Sequence, residues 1–381
     1  MKLRTRFVRK IEDIPSKDWN SIFPDVLEGY DFFKSLDQSK FEQFSFYYII
    51  VYNGKTAVGA APCFCMRYSL DTSMNGPAKR IVNRIKKINP NMFSVKALIC
   101  GMPMGKGFIG IAGGDKRIVQ AIFHRMEQIA RHEKAPIIAF KDFGHNYNDT
   151  LAPLLKKGFV RMDSLPYAEM DLGFSDFDDY LKTKLSGASR YDMRRKFKKV
   201  AGEVKIDMEV VDELKGDVLK EVYSLYLQML DKHEMGFEIV PMDFFKNITK
   251  NMPNQVKFFL WRIDGKLVAF LFALIADGTM IDYYLGLDYA VAHKYHLFFI
   301  KHRDAMNWAI ENGMKRYEMG ISGYEPKKRL GFYFTPLHIY AKYCNPVVSP
   351  AFKLMCNFLK FENFDPELKK IKKEKLIKVP A

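Results

Sequence analysis

The chain has 381 residues, 48% of them hydrophobic and 14% aromatic, which gives two ordinary domains a core each and excludes disorder over most of the length. Its 60 basic and 44 acidic side chains leave a net charge of +16, a balance that suits an anionic partner such as nucleic acid, a phosphate-bearing small molecule or a lipid surface. Basic residues cluster at Lys79–Lys87, Arg190–Lys199 and Lys369–Lys378.

In chain order, Met1–Lys10 is basic but no apolar stretch follows it, so no secretory leader is expected. The first clear element is Tyr47–Met66 (YYIIVYNGKTAVGAAPCFCM), two β-rich runs around Asn-Gly. That dipeptide favours a type I′ hairpin turn, which needs positive φ at both central residues. Residues 68–97 are basic, contain Gly and Pro, and read as an excursion from the core. The glycine-rich Gly110–Asp115 precedes a helix over Lys116–Glu133, with Ile118, Ile122, Met126 and Ile129 on one face. A strand at Pro136–Lys141 and the pair Gly158-Phe159 close the first half.

A helix over Phe177–Leu185, a break at Gly187 and a basic helix capped by Ser189 lead into the second half. Helices over Leu219–Asp231 and Met242–Asn251 open it. Phe258–Ala276 (FFLWRIDGKLVAFLFALIA) then repeats the hairpin with Asp-Gly-Lys. A helix over Tyr295–Asn312, with His302 on its apolar stripe, ends at Gly313 and is followed by a strand at Lys315–Gly320 and by Gly331-Phe332. Gly54 and Gly265 are 211 positions apart, and Ala130 and Ala309 are 179 apart, so the first half carries 32 extra residues, for which the 68–97 excursion is the candidate insertion. The expected division is 1–173, a basic connector 174–205, 206–362, and a Lys-rich tail 363–381 that frays. Cys63, Cys65, Cys100, Cys344 and Cys356 lack zinc-ligand spacing and read as reduced thiols of a cytoplasmic protein; no metal is expected.

The order helices, hairpin, strand, long helix, strand, Gly-Phe, strand resembles a GNAT acyltransferase lobe. Two such lobes in one chain resemble the Fem-type aminoacyltransferases and related double-GNAT proteins. Three stretches carry the likeness: Ser186–Lys199 (SGASRYDMRRKFKK), Asp282–Asp288 (DYYLGLD) and Tyr317–Phe332 (YEMGISGYEPKKRLGF). The resemblance implies an α/β fold of two tandem GNAT-like lobes, each a mixed, mostly antiparallel sheet flanked by helices. It also implies an N-acyltransferase that moves an acetyl or aminoacyl group to an amine of an anionic small-molecule, lipid-linked or cell-envelope acceptor.

Setting Leu297-Phe298 at the family's helix start puts Ala292, His293, Lys294 and Tyr295 in the cofactor-binding segment. Tyr289, Ala292 and Lys294 then stand where the family has Arg, Gly and Gly. Those glycines let the backbone approach a diphosphate, so the donor stays open between acyl-CoA and aminoacyl-tRNA. No sustained heptad marks the coiled-coil arm that Fem-type members tend to carry.

Acyl transfer to an amine needs a proton acceptor, donors for the developing oxyanion and a proton source for the leaving group. Glu318, on an apolar strand beside Gly320, suits the first role; the alternative is a surface carboxylate paired with Lys315 or Arg316. Tyr283 and Tyr284 occupy successive strand positions and should face opposite sides, with Tyr284 chosen as the proton donor. Lys327, four residues before Gly331, is a cation for a phosphate or the acyl carbonyl, with Lys328 beside it. Arg190, Tyr191, Arg194 and Arg195 form a ligand-binding face on the basic helix, Arg suiting bidentate anion recognition. There is no Ser/His/Asp or Cys/His constellation. A second reading is a non-catalytic nucleic-acid- or anion-binding protein using the basic clusters. A third places the enzyme at the inner membrane face through Lys369–Lys378.

Overall fold

A computed structural model describes residues 3–24, 26–69, 94–232, 238–363 and 365–378. Most of the expected 68–97 excursion, with the basic cluster Lys79–Lys87, lies outside the described residues. The first eight strands are β1 (Leu3–Val8), β2 (Ser45–Asn53), β3 (Thr56–Ser69), β4 (Ser94–Cys100), β5 (Gly110–Ile111), β6 (Ile137–Gly144), β7 (Val160–Asp163) and β8 (Tyr167–Asp171). Then come β9 (Asp207–Val211), β10 (Val256–Ile263), β11 (Lys266–Ala276), β12 (Thr279–Leu287), β13 (Arg316–Gly320), β14 (Tyr333–Thr335) and β15 (Leu337–Tyr343).

The strands make two mixed sheets flanked by helices, the GNAT-like α/β class expected. The first runs β1-β2-β3-β4-β6-β15-β7, with β5 beside β3; the second runs β9-β10-β11-β12-β13-β8-β14. One pair in each sheet is parallel, β4 with β6 and β12 with β13, and each is bridged by a long helix, Lys116–Glu133 or Leu297–Glu311. The sheets also trade a strand. β8 lies between β13 and β14, while β15 lies between β6 and β7. A cut at residue 173 therefore does not separate the two sheets. Non-local strand pairing leaves no mark on local periodicity, which is why the sequence reads as two consecutive blocks.

Both hairpins form, with different turns. Asp264 and Gly265 both have positive φ (48° and 78°), as type I′ requires. In the first hairpin Asn53 pairs with Thr56, so the central residues are Gly54 and Lys55, and only Gly54 (φ 62°) is positive. That is the type II′ pattern. The connector helix spans Gly187–Glu203 and is capped by Ser186, whose hydroxyl accepts from the Ser189 amide, rather than by Ser189. The described part of the C-terminal segment is folded onto the protein. Asp365 caps a helix Pro366–Lys373, whose Leu368 and Ile371 are buried in the second lobe's core.

The inner faces of both sheets share one core with the helices Tyr30–Gln38 and Met242–Asn251, joined by contacts such as Phe32 on Phe244 (ring centroids 5.9 Å apart). The outer face of each sheet is covered by its own long helix. This shared aromatic core and the exchanged strands fix the seam between the lobes, where the candidate site lies.

Candidate active site

Three consecutive residues of β13, Tyr317, Glu318 and Met319, are buried. A buried carboxylate needs a partner. Glu318 finds Lys106, whose Nζ lies 3.0 Å from Oε1 and 2.9 Å from Oε2. Lys106 comes from the first half, 212 residues away, and its ammonium sits 4.3 Å from the centroid of the Tyr167 ring on β8. Its loop lies flat on β6 because residue 107 is glycine: a Cβ there would stand 2.0 Å from the Lys141 carbonyl oxygen. Glu28, just before the helix Tyr30–Gln38, accepts a hydrogen bond from the Tyr283 hydroxyl at 3.2 Å. A Cβ on Gly105 would touch both the Glu28 Oε1 and the Tyr283 hydroxyl at 3.3 Å, so the glycine lets the loop close over them.

Glu28, Lys106, Tyr167, Tyr283 and Glu318 thus converge from five separate segments. Desolvation pushes the Glu28 carboxyl above its ordinary value, and the nearby charge of Glu318 adds to it. Burial first, then these carboxylates, push the Tyr167 and Tyr283 hydroxyls well above the usual tyrosine range. Both therefore remain proton donors.

Tyr283 reaches this cluster because β12 is bulged. Phe272 faces Tyr284 and Ala273 faces Asp282, so Tyr283 is the extra, unpaired residue. Strict alternation would send the two rings to opposite faces; the bulge instead sets them on the same core, centroids 5.7 Å apart. Tyr284, the residue chosen from the sequence, packs against Tyr226, Phe245 and Phe272, and its hydroxyl has no hydrogen-bond partner among the described residues. It lies near Glu238, whose carboxyl desolvation raises to about 7.

Lys327 is buried and does not reach Glu318. Its ammonium donates to the carbonyls of Met319 (2.6 Å), Ile321 (3.0 Å) and Gly320 (3.3 Å), tying down the end of β13. Burial lowers its pKa to about 7. On the same side, Lys301 and Asp282 form a buried ion pair at 2.7 Å, and His302 meets the Tyr180 hydroxyl at 3.1 Å. His302 is in the core as expected, and burial keeps its pKa well below the ordinary value. Lys328 pairs with Glu374.

Ala292 and His293 line a cavity of about 370 Å³ with His296, Phe298, Phe299, Glu325 and Arg329. Lys294 is exposed, with Nζ 4.7 Å from the Tyr295 ring centroid. Part of the segment is already folded on itself. Tyr289–Ala292 is already a helical turn in which the Asp288 side chain takes the Ala290 amide and the Asp288 carbonyl takes those of Val291 and Ala292. The amides of Ala290, Val291 and Ala292 are spent this way, and Glu325 adds a carboxylate to the wall.

The arginines of the connector helix are engaged elsewhere. Arg190 donates to the carbonyls of Lys182 and Leu185, closing the preceding helix, while Arg194 pairs with Asp178 and Arg195 with Asp192. Tyr191 is exposed. Lys196, on the same helix, lies 4.3 Å from the ring centroid of Phe299, which lines the cavity. The positive charges of Lys196 and Lys199, after desolvation, also help to lower the pKa of His296 at the cavity wall. The sequence missed Glu28, Lys106 and Tyr167. The available signal was the run Gly101–Gly107, three glycines around one lysine.

A family model for FemAB-like proteins, described as peptidoglycan biosynthesis/recognition, matches residues 102–370. The chain belongs to the FemAB-like family. It is accordingly an N-acyltransferase. No curated protein matches its sequence. Solved structures share the fold at low identity. FemX is 13% identical, with a TM-score of 0.56 over 92% of this chain and 100% of its own. A tandem GNAT protein from the clavulanic acid biosynthesis pathway is 10% identical, TM-score 0.54, over 91% and 99%. L-PGS from Bacillus licheniformis is 10% identical, TM-score 0.51, over 85% and 90%. No helix among the described residues of this FemAB-like chain is long and apolar enough to cross a membrane.

Proposed function

We propose that this FemAB-like protein transfers an aminoacyl group from aminoacyl-tRNA to an amine of a cell-envelope precursor, at the seam between its lobes. The observation that carries the reading is the convergence of Glu318, Lys106, Glu28 and Tyr283 from both halves of the chain. In the reaction the amine nitrogen attacks the ester carbonyl, a C–N bond forms, the ester C–O bond breaks, and the amine proton ends on the departing hydroxyl oxygen. Glu318 accepts that proton, with Glu28 as the second carboxylate, and the Tyr283 hydroxyl, bonded to Glu28, is the proton donor. Lys106 supplies positive charge for the oxyanion.

Two features favour aminoacyl-tRNA over acyl-CoA: family membership, and a turn whose Ala290, Val291 and Ala292 amides are already bonded to Asp288. The cations of Lys196 and Lys199 beside the cavity suit a polyanionic donor. Incubating purified protein with charged tRNA or acyl-CoA, each with cell-envelope precursors bearing a free amine, tests this. Transfer from the charged tRNA alone is the expected result; transfer from acyl-CoA alone contradicts it.

A further inference from the structure

The last helix before the C-terminal segment, Ser349–Phe358, packs one side on the protein and leaves the other bare. Cys356 is buried and Phe352 rests on Tyr343, ring centroids 5.7 Å apart. On the opposite side Leu354 is 60% exposed and Phe358 73%, with Met355 between them and Val347 and Val348 at the entrance. Large apolar side chains concentrated like this on one short stretch mark a surface that meets something apolar.

The charge around it says what. From 343 to 361 the sequence contains no Asp or Glu and carries Lys353 and Lys360. The Lys353 ammonium stands about 4.0 Å from the Cβ position of Gly158, so the turn holding Lys156 and Lys157 borders the helix. The stretch 151–162 also lacks acidic residues, and Leu155 there is exposed. An apolar face bordered by Lys156, Lys157, Lys353 and Lys360 complements acyl chains beneath anionic headgroups; Asp163 and Glu362, which share a cleft with Asn357 and Lys360 at the end of the helix, are both paired with Lys372. A second copy of the same face would instead set lysine against lysine across a two-fold axis.

We propose that Ser349–Phe358, with Lys156, Lys157, Lys353 and Lys360, docks the protein on an anionic lipid surface. The docking is independent of the acyl-transfer reading. It also assigns the contact to this helix rather than to Lys369–Lys378, where Lys370 and Lys372 are already paired with Glu325 and Glu362. The test is flotation of the full chain with vesicles of phosphatidylcholine plus phosphatidylglycerol, against phosphatidylcholine alone, with no acyl donor present. Binding to the anionic vesicles only is expected. Leu354→Glu/Phe358→Glu should lower it at least about tenfold, and Lys156→Gln/Lys157→Gln several-fold, with thermal unfolding unchanged because all four side chains face solvent. Equal binding by the first variant overturns the proposal. So does a wild-type dimer in light scattering that Phe358→Glu dissociates, since that assigns the face to a second copy.

Discussion

The two long helices occupy the same place in the two sheets and bury different chemistry. Lys116–Glu133 buries only apolar residues, among them Ile118, Ile122, Phe123, Met126 and Ile129. Leu297–Glu311 buries Lys301 and His302 among its apolar residues. The adjoining parallel pairs differ as well. Beside β4 and β6 the loop 101–109 is laid down, with Gly107 bridged to Phe143. β12 keeps only three partners on β13 before the strands part, and Glu318 sits at the last of them. The first lobe's long helix is all packing, and that lobe lends the site Glu28 and Lys106; the second lobe's long helix keeps buried charge under the strands that present the site. Buried ion pairs are poor stabilisers, so the buried Lys301–Asp282 pair between the second long helix and β12 points to a role beyond stability.

Breaking the buried charge should have the largest effect. Lys301→Met leaves Asp282 uncompensated and should cost about 3–5 kcal/mol in urea unfolding. The double variant Asp282→Ala/Lys301→Met should cost less than the single one. Ile122→Met in the matching helix of the first lobe should cost under ~1.5 kcal/mol.

Lys327 sharpens the contrast through pH. Its pKa falls from an ordinary 10.5 to about 7 on folding. Between those values the unfolded chain binds one more proton than the folded one, so stability rises with pH by about 1.4 kcal/mol per pH unit. Below about pH 7 both states are protonated and this dependence disappears. Subtracting the stability profile of Lys327→Met from that of the wild type isolates the slope; a flat difference between pH 7 and 10 counts against the lowered pKa.

The tyrosine pair divides the two sides of the bulge. Tyr283→Phe should lower the transfer rate about tenfold or more. Tyr284→Phe should leave it unchanged and cost no stability, since that hydroxyl has no partner among the described residues. Smallest of all, Arg195→Ala should change stability by less than about 0.5 kcal/mol, because its pair with Asp192 is exposed.

Much of the frame was legible in the sequence. The period of Ile118, Ile122, Met126 and Ile129 gave the helix Lys116–Glu133 to the residue, and the two Gly-Lys hairpins located β2–β3 and β10–β11. Glu318 stood out as a carboxylate on an apolar strand. Its partners did not, because Lys106 and Glu28 lie in irregular loops whose positions depend on contacts 212 and more residues away. Tyr283 was passed over for Tyr284 because alternation holds only where a strand is not bulged. The arginines of Gly187–Glu203 drew attention by type, yet type alone does not reveal that Arg190 closes a helix and Arg195 bonds its own neighbour.

The central claim is that the chemistry sits where Glu318 of the second lobe meets Lys106 of the first. Single-turnover aminoacyl transfer from charged tRNA measures it most directly, comparing the wild type with Glu318→Gln and with Lys96→Gln, whose partner Glu133 lies elsewhere in the first lobe. A loss of about 100-fold or more in Glu318→Gln, with a native unfolding temperature and a normal rate in Lys96→Gln, is the predicted outcome. A folded Glu318→Gln protein that transfers at the wild-type rate would contradict the account.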